Sequence, residues 1–155
     1  MSELRSIVLA IELATRKRDE LAKAAARMEK TLQFAMAQMN QLQGYAAETD
    51  ARWIQPCTAG RSVEVMHHHY QFMERLQHAI GLQSGVMANT GQQVEAAKQL
   101  LLQAEYRLAG LNQVLKARQT ELSLREQRRE QRQTDEFAAM LHARNTRMSR
   151  SGELP

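Results

Sequence analysis

Residues 4–53 read LRSIVLAIELATRKRDELAKAAARMEKTLQFAMAQMNQLQGYAAETDARW. Taken in alternating steps of three and four, the stretch visits Leu4, Ile7, Ile11, Ala14, Arg18, Leu21, Ala25, Met28, Leu32, Ala35, Met39, Leu42, Ala46, Thr49 and Trp53. All but Arg18 and Thr49 are apolar, no proline interrupts, and Gly44 is the only glycine. This is the a/d seam of a heptad repeat. A helix of that length extends about 75 Å at 1.5 Å per residue. It cannot bury its stripe against itself, so it requires a partner helix.

The chain supplies one. Met66, His69, Met73, Leu76, Ile80, Gln83, Met87, Thr90, Val94, Ala97, Leu101, Ala104, Leu108, Leu111, Leu115, Arg118 and Leu122 follow the same alternation. Between the two seams lies Gln55-Pro56-Cys57-Thr58-Ala59-Gly60, the one clear turn. The residue before Pro56 is pushed out of the α region, which ends the first helix. Ser2 and Ser62 are the expected N-caps, each with a glutamate in the following turn. A short connection folds the helices back antiparallel. The expected architecture is all-α: a single coiled-coil hairpin with helix 1 at about 3–54, a turn at 55–61, helix 2 at about 62–147 and a disordered tail at 149–155.

If the turn centres near Cys57, facing residues have numbers that sum to about 115, so Leu42 faces Met73, Met28 faces Met87 and Leu4 faces Leu111. Some thirty residues of helix 2 then overhang, leaving Leu115, Leu122 and Leu124 without an intramolecular partner. A projecting helix with an apolar stripe needs something to bind. Gly81, Gly85 and Gly91 fall in helix 2, either as a softer segment opposite Ala24–Ala35 or as tolerated surface glycines.

The composition fits long helices: Ala, Leu, Gln, Glu, Arg and Met dominate, with two prolines and 5% aromatics. One cysteine, Cys57, excludes an internal disulfide and fits a reducing compartment. The start lacks a secretory pattern, and no stretch approaches a membrane span, so a cytoplasmic protein without direct membrane insertion is expected. The net charge is +4; residues 116–150 hold nine basic and five acidic residues and therefore carry all of it.

Enzyme chemistry finds little support. His67-His68-His69 point about 100° apart in succession on a helix and cannot converge on one ion. Cys57 has no neighbouring base, no phosphate-cradling glycine motif occurs, and a two-helix hairpin offers no pocket. A non-enzymatic protein without cofactor or metal is expected. The C-terminal arm is either a solvated charged face, a protein-binding surface or a nucleic-acid binder. Against the last, acids alternate with its arginines and no aromatic stacks between them, so no nucleic-acid partner is expected.

Three features resemble one family. Tyr70-Gln71-Phe72-Met73-Glu74-Arg75-Leu76-Gln77-His78-Ala79-Ile80 is similar to a segment early in helix 2 of the flagellar export protein FliJ family. Arg118-Gln119-Thr120, followed by Asp135-Glu136-Phe137-Ala138, looks like that family's terminal signature in a charged helix. The length and single break also match. The resemblance implies an antiparallel hairpin similar to the stalk of rotary ATPases. It implies a coupling component of the bacterial flagellar type III export apparatus, peripheral to the cytoplasmic face of the inner membrane. The implied partners are the hexameric export ATPase FliI, the export-gate protein FlhA and flagellar export chaperones.

Carried onto this chain, the gate-facing surface comprises Gln38, Leu42 and Tyr45 on helix 1 with Phe72, Leu76 and Ala79 on helix 2. Thr49 and Gln83 depart from the family's pattern at its edge. For Leu42 and Leu76, seam packing is the competing role, whereas Tyr45 and Phe72 lie off the seam, expected opposite each other. The ATPase-facing element is the overhang, with Leu115, Leu122, Arg125, Arg129, Arg132 and Phe137. A virulence-system stalk and a basic coiled-coil nucleic-acid binder are the alternative functions.

Overall fold

A computed structural model describes residues 2–54 and 62–152. They form two α-helices, α1 (Ser2–Ile54) and α2 (Val63–Ser151), paired antiparallel, with α2 the longer. The expected turn, with Pro56 and Cys57, lies outside the described residues. Helix entry into α2 follows from Ser62, whose hydroxyl accepts the Val65 amide at 3.3 Å while its carbonyl accepts the Met66 amide. Ser2, expected as a cap, is instead the first residue of α1, and its carbonyl accepts the Ser6 hydroxyl. At the other end α2 runs through Ser149 and Ser151, where a disordered tail was expected. Their hydroxyls bond the Thr146 and Met148 carbonyls, and the Gly152 amide closes the last turn on Met148.

The seam is legible in the burial pattern. All fifteen seam positions of α1 are buried or half-buried. So are those of α2 from His69 to Leu115, while Met66, Arg118 and Leu122 are exposed. The chain divides into two compact units, Met1–Leu13 with Leu108–Pro155, and Ala14–Arg107.

In the Ala14–Arg107 unit the buried residues of α1 are Ala14, Ala25, Ala35, Met39 and Ala46, and those of α2 are Leu76, Thr90, Val94 and Ala104. Five of these nine are alanines. Small residues are the most deeply buried, while larger seam residues such as Leu21, Leu32 and Leu42 stay half-buried. Among the described residues Thr90 is the one buried polar residue, and no buried side-chain nitrogen or oxygen lacks a partner.

The register differs from the expected one. Trp53 stacks on His69 with ring centroids 3.9 Å apart and planes 1° from parallel, a pair summing to 122. Gln83 donates from Nε2 to Gln38 Oε1 at 3.3 Å, a pair summing to 121. In the other unit Arg118 meets Glu3 at 3.3 Å, again 121. The expected sum of 115 is therefore short by six to seven residues, close to one heptad. Leu42 lies level with Ala79 rather than Met73, and Met28 with Gln93–Val94 rather than Met87. Leu4 lies level with Arg118 rather than Leu111, so paired seam reaches further along α2 and the overhang begins later.

Gly81, Gly85 and Gly91 each face open space: a Cβ there meets nothing within 4 Å. They are not sites of close helix approach.

Candidate interaction surfaces

With Leu4 and Met66 at heptad position a, Glu29 and Lys98 both fall at e, and they meet at 3.9 Å. The e positions of the two helices therefore share one flank of the Ala14–Arg107 unit, and the g positions share the other. Gln38 and Tyr45 of α1, and Phe72 and Ala79 of α2, are all g positions. Four of the six residues assigned to the gate-facing surface thus lie along one flank. Tyr45 is 57% exposed and Phe72 50%. Leu42 and Ala79 are half-buried, and Leu76 is a core residue at 8% exposure. Leu76 supports that flank from beneath more than it presents a side chain.

Tyr45 and Phe72 are not opposite each other, contrary to expectation. Phe72 lies level with Thr49, about 6 Å along the axis from Tyr45 at 1.5 Å per residue. Thr49 and Gln83, the two departures at the edge of this patch, are half-buried seam residues. Gln83 donates to the Ala35 carbonyl at 2.7 Å as well as to Gln38, and so ties a flank residue to the seam.

Phe34, Leu82 and Val86 continue the same flank at c and g positions, and all three are exposed. None was expected to contribute. The signal was present, since c adjoins g on the helical wheel, but it emerges only once the shared flank of the two helices is known. Arg75 is the one charge among the g and c positions from 31 to 45 and 72 to 86. The e positions over the same ranges are Met36, Gln43, Gln77 and Ser84 and hold no aromatic residue.

The second candidate surface belongs to the unit containing the C-terminal half of α2. Leu108, Leu111 and Leu115 are half-buried, as are Leu4, Ile7 and Ile11. Leu115 is therefore part of the paired seam, a correction to its expected place on the overhang. From Lys116 to Gly152 every side chain is exposed. Leu122 and Leu124 stand unpartnered as expected, at 43% and 48% exposure. At the root of the arm Arg118 contacts both Glu3 and Glu121, and Glu121 also accepts Arg125 at 2.9 Å. Such exposed pairs contribute little stability individually. They fix side-chain directions at the root.

Beyond it Arg125, Arg128, Arg129, Arg132 and Glu136 line a shallow furrow on one face of α2. Spacings of three and four place them in a single stripe. Phe137, Met140, Leu141 and Met148 follow on a short exposed apolar face, with Arg144 and Arg147 beside it. The arm presents a basic stripe and then an apolar one, both open to a partner.

The histidines of the 67–69 run have separate engagements: His67 hydrogen-bonds Gln71 at 3.2 Å and His69 stacks on Trp53. Among the described residues no three His, Cys, Asp or Glu side chains gather where they would hold an ion, and no helix is long and apolar enough to cross a membrane.

Compared with known proteins, residues 7–147 match the family described as flagellar FliJ protein. No curated protein and no solved structure gives a match.

Proposed function

We propose that this chain, which belongs to the flagellar FliJ protein family and is thereby a flagellar export-associated protein, acts as a non-enzymatic coupling stalk. The arm of α2 beyond Arg118 seats in the ring of the export ATPase FliI. The flank carrying Gln38, Tyr45, Phe72 and Ala79 engages the export gate FlhA. ATP-driven changes in the ring then bias contact with the gate at the membrane.

The observation that carries this reading is the arm itself. It is a continuous helix with every side chain exposed, one face an arginine stripe and the next apolar. A helix of that kind has no structural task within its own chain. An acidic-lined, partly apolar channel is the surface it complements. The arginines 125, 129 and 132 supply steering and Phe137 a buried anchor.

The test compares full-length protein with a truncation after Gln119, which keeps the Arg118–Glu3 pair, in ATPase-binding and ATPase-activity assays. Stimulation by the full-length chain and none by the truncation supports the stalk. Binding of neither chain to the ATPase refutes it. The same arginine stripe gives a nucleic-acid role as the second reading. Affinity for random duplex that falls steeply with salt, by orders of magnitude between 50 and 200 mM, would favour that role.

A further inference from the structure

We propose that Gln83, together with Ala35 and Gln38, selects which of several near-equivalent registers the two helices adopt in the Ala14–Arg107 unit. A heptad seam is nearly self-similar. Sliding one helix by seven residues, about 10 Å, sets every a and d position against another a or d position. Apolar burial therefore discriminates weakly between the registers.

The Gln83 amide is different. It lies part-buried at a d position and donates to the Ala35 carbonyl at 2.7 Å and to Gln38 Oε1 at 3.3 Å. Ala35 is 4% exposed, and its methyl leaves the carbonyl within reach of a side chain from the partner helix. A slip of one heptad in either direction replaces Ala35 with Met28 or Leu42. Either long side chain covers the acceptor that a small one leaves open. The same slips replace Gln38 with Thr31 or Tyr45. Thr31 Oγ1 is held back against its own helix by donating to the Arg27 carbonyl, and its shorter side chain reaches less far toward the partner helix than the Gln38 amide. A part-buried amide thus has its full set of partners in one register only, and an amide left unpaired in a seam is penalised. A single polar seam residue fixing register is a known device in coiled coils.

The consequence for function rests on the reading above. A one-heptad slip moves Tyr45 about 10 Å along the axis relative to Phe72 and Ala79, and the flank that faces the gate is no longer assembled. Gln83 is in this sense a positioning residue for that surface.

The register is measured on the free protein, with no partner present. In a Cys57→Ser background, spin labels are placed at the exposed pair Gln43 and Gln77, or at Met36 and Gln77. The first pair is level in the observed register and the second in the register slipped by one heptad. Both are measured with His69→Leu, which removes the register-specific stack on Trp53, and again with Gln83→Leu added.

With His69→Leu alone, the 43–77 pair remains the short one. Adding Gln83→Leu raises the slipped population about tenfold, so that the 36–77 pair acquires a short distance, while thermal stability holds or rises. Two results overturn the proposal: the doubly substituted chain keeps only the 43–77 distance, or His69→Leu slips by itself. Binding to the gate protein is read in parallel. If the chain with Gln83 intact does not bind the gate, the functional reading fails while the register result still stands.

Discussion

Alanine at Gly81, Gly85 and Gly91 should stabilise the Ala14–Arg107 unit. All three lie inside α2, where glycine is less favourable than alanine by 0.5–1 kcal/mol, because it loses more backbone freedom on folding. That gain is ordinarily offset where the new methyl collides with a neighbour. Here a Cβ at each position meets nothing within 4 Å, so the gain should appear undiminished. Summed, the three substitutions contribute about 1.5–3 kcal/mol. With a urea dependence of about 1–3 kcal/mol per molar, the unfolding midpoint should rise by about 1 M. Helicity followed by circular dichroism in urea reads this without screening the chain's charges, as guanidinium would. A midpoint that stays put or falls refutes the reasoning. It would mean that these glycines serve a bend or a close approach in the working molecule. Gate binding by the triple variant then separates the two roles open from sequence: tolerated surface glycines leave it unchanged, and a functionally soft segment loses it.

Leu76→Ala should cost about 2 kcal/mol or more, since the side chain is 8% exposed within the seam, and a lowered urea midpoint checks it. Tyr45→Ala and Phe72→Ala should each cost under about 1 kcal/mol because their rings are half exposed, so loss of gate binding in these two variants reports contact rather than unfolding. Reversing charge with Arg129→Glu and Arg132→Glu should abolish ATPase binding while leaving the urea midpoint within about 0.5 kcal/mol of the parent, because both residues are exposed on the unpaired arm. Trp53 is the sole tryptophan and stacks on His69, so His69→Leu should change its emission at once, and a spectrum identical to the parent would refute the stack.

The helices and their seam could be read from Leu4 to Trp53 and from His69 to Leu115 because a heptad pattern is local: each residue's neighbours on the helix surface lie three or four away in sequence. Register is another matter. It is a relation between residues some fifty apart, and a pattern that repeats every seven residues admits several solutions that set a and d positions together. Reading the turn as centred on Cys57 chose a register almost one heptad from the observed one, and a and d positions still fell opposite a and d positions. What separates the two is not hydrophobic. It is an amide at Gln83 that needs the gap above Ala35, an imidazole at His69 stacked on the indole of Trp53, and a carboxylate at Glu3 meeting the guanidinium of Arg118. Each is a pair whose two members look unremarkable alone, so no scan along one helix finds them. The same gap explains the interaction surface. The family resemblance names Tyr45 and Phe72, which lie beside the seam, but their 6 Å offset and their continuity with Phe34, Leu82 and Val86 exist only once the helices are set side by side. Polar residues inside a repetitive apolar seam are therefore where the information about assembly lies, and exchanging them for leucine should leave the fold and its stability nearly intact while dispersing the surface built on it.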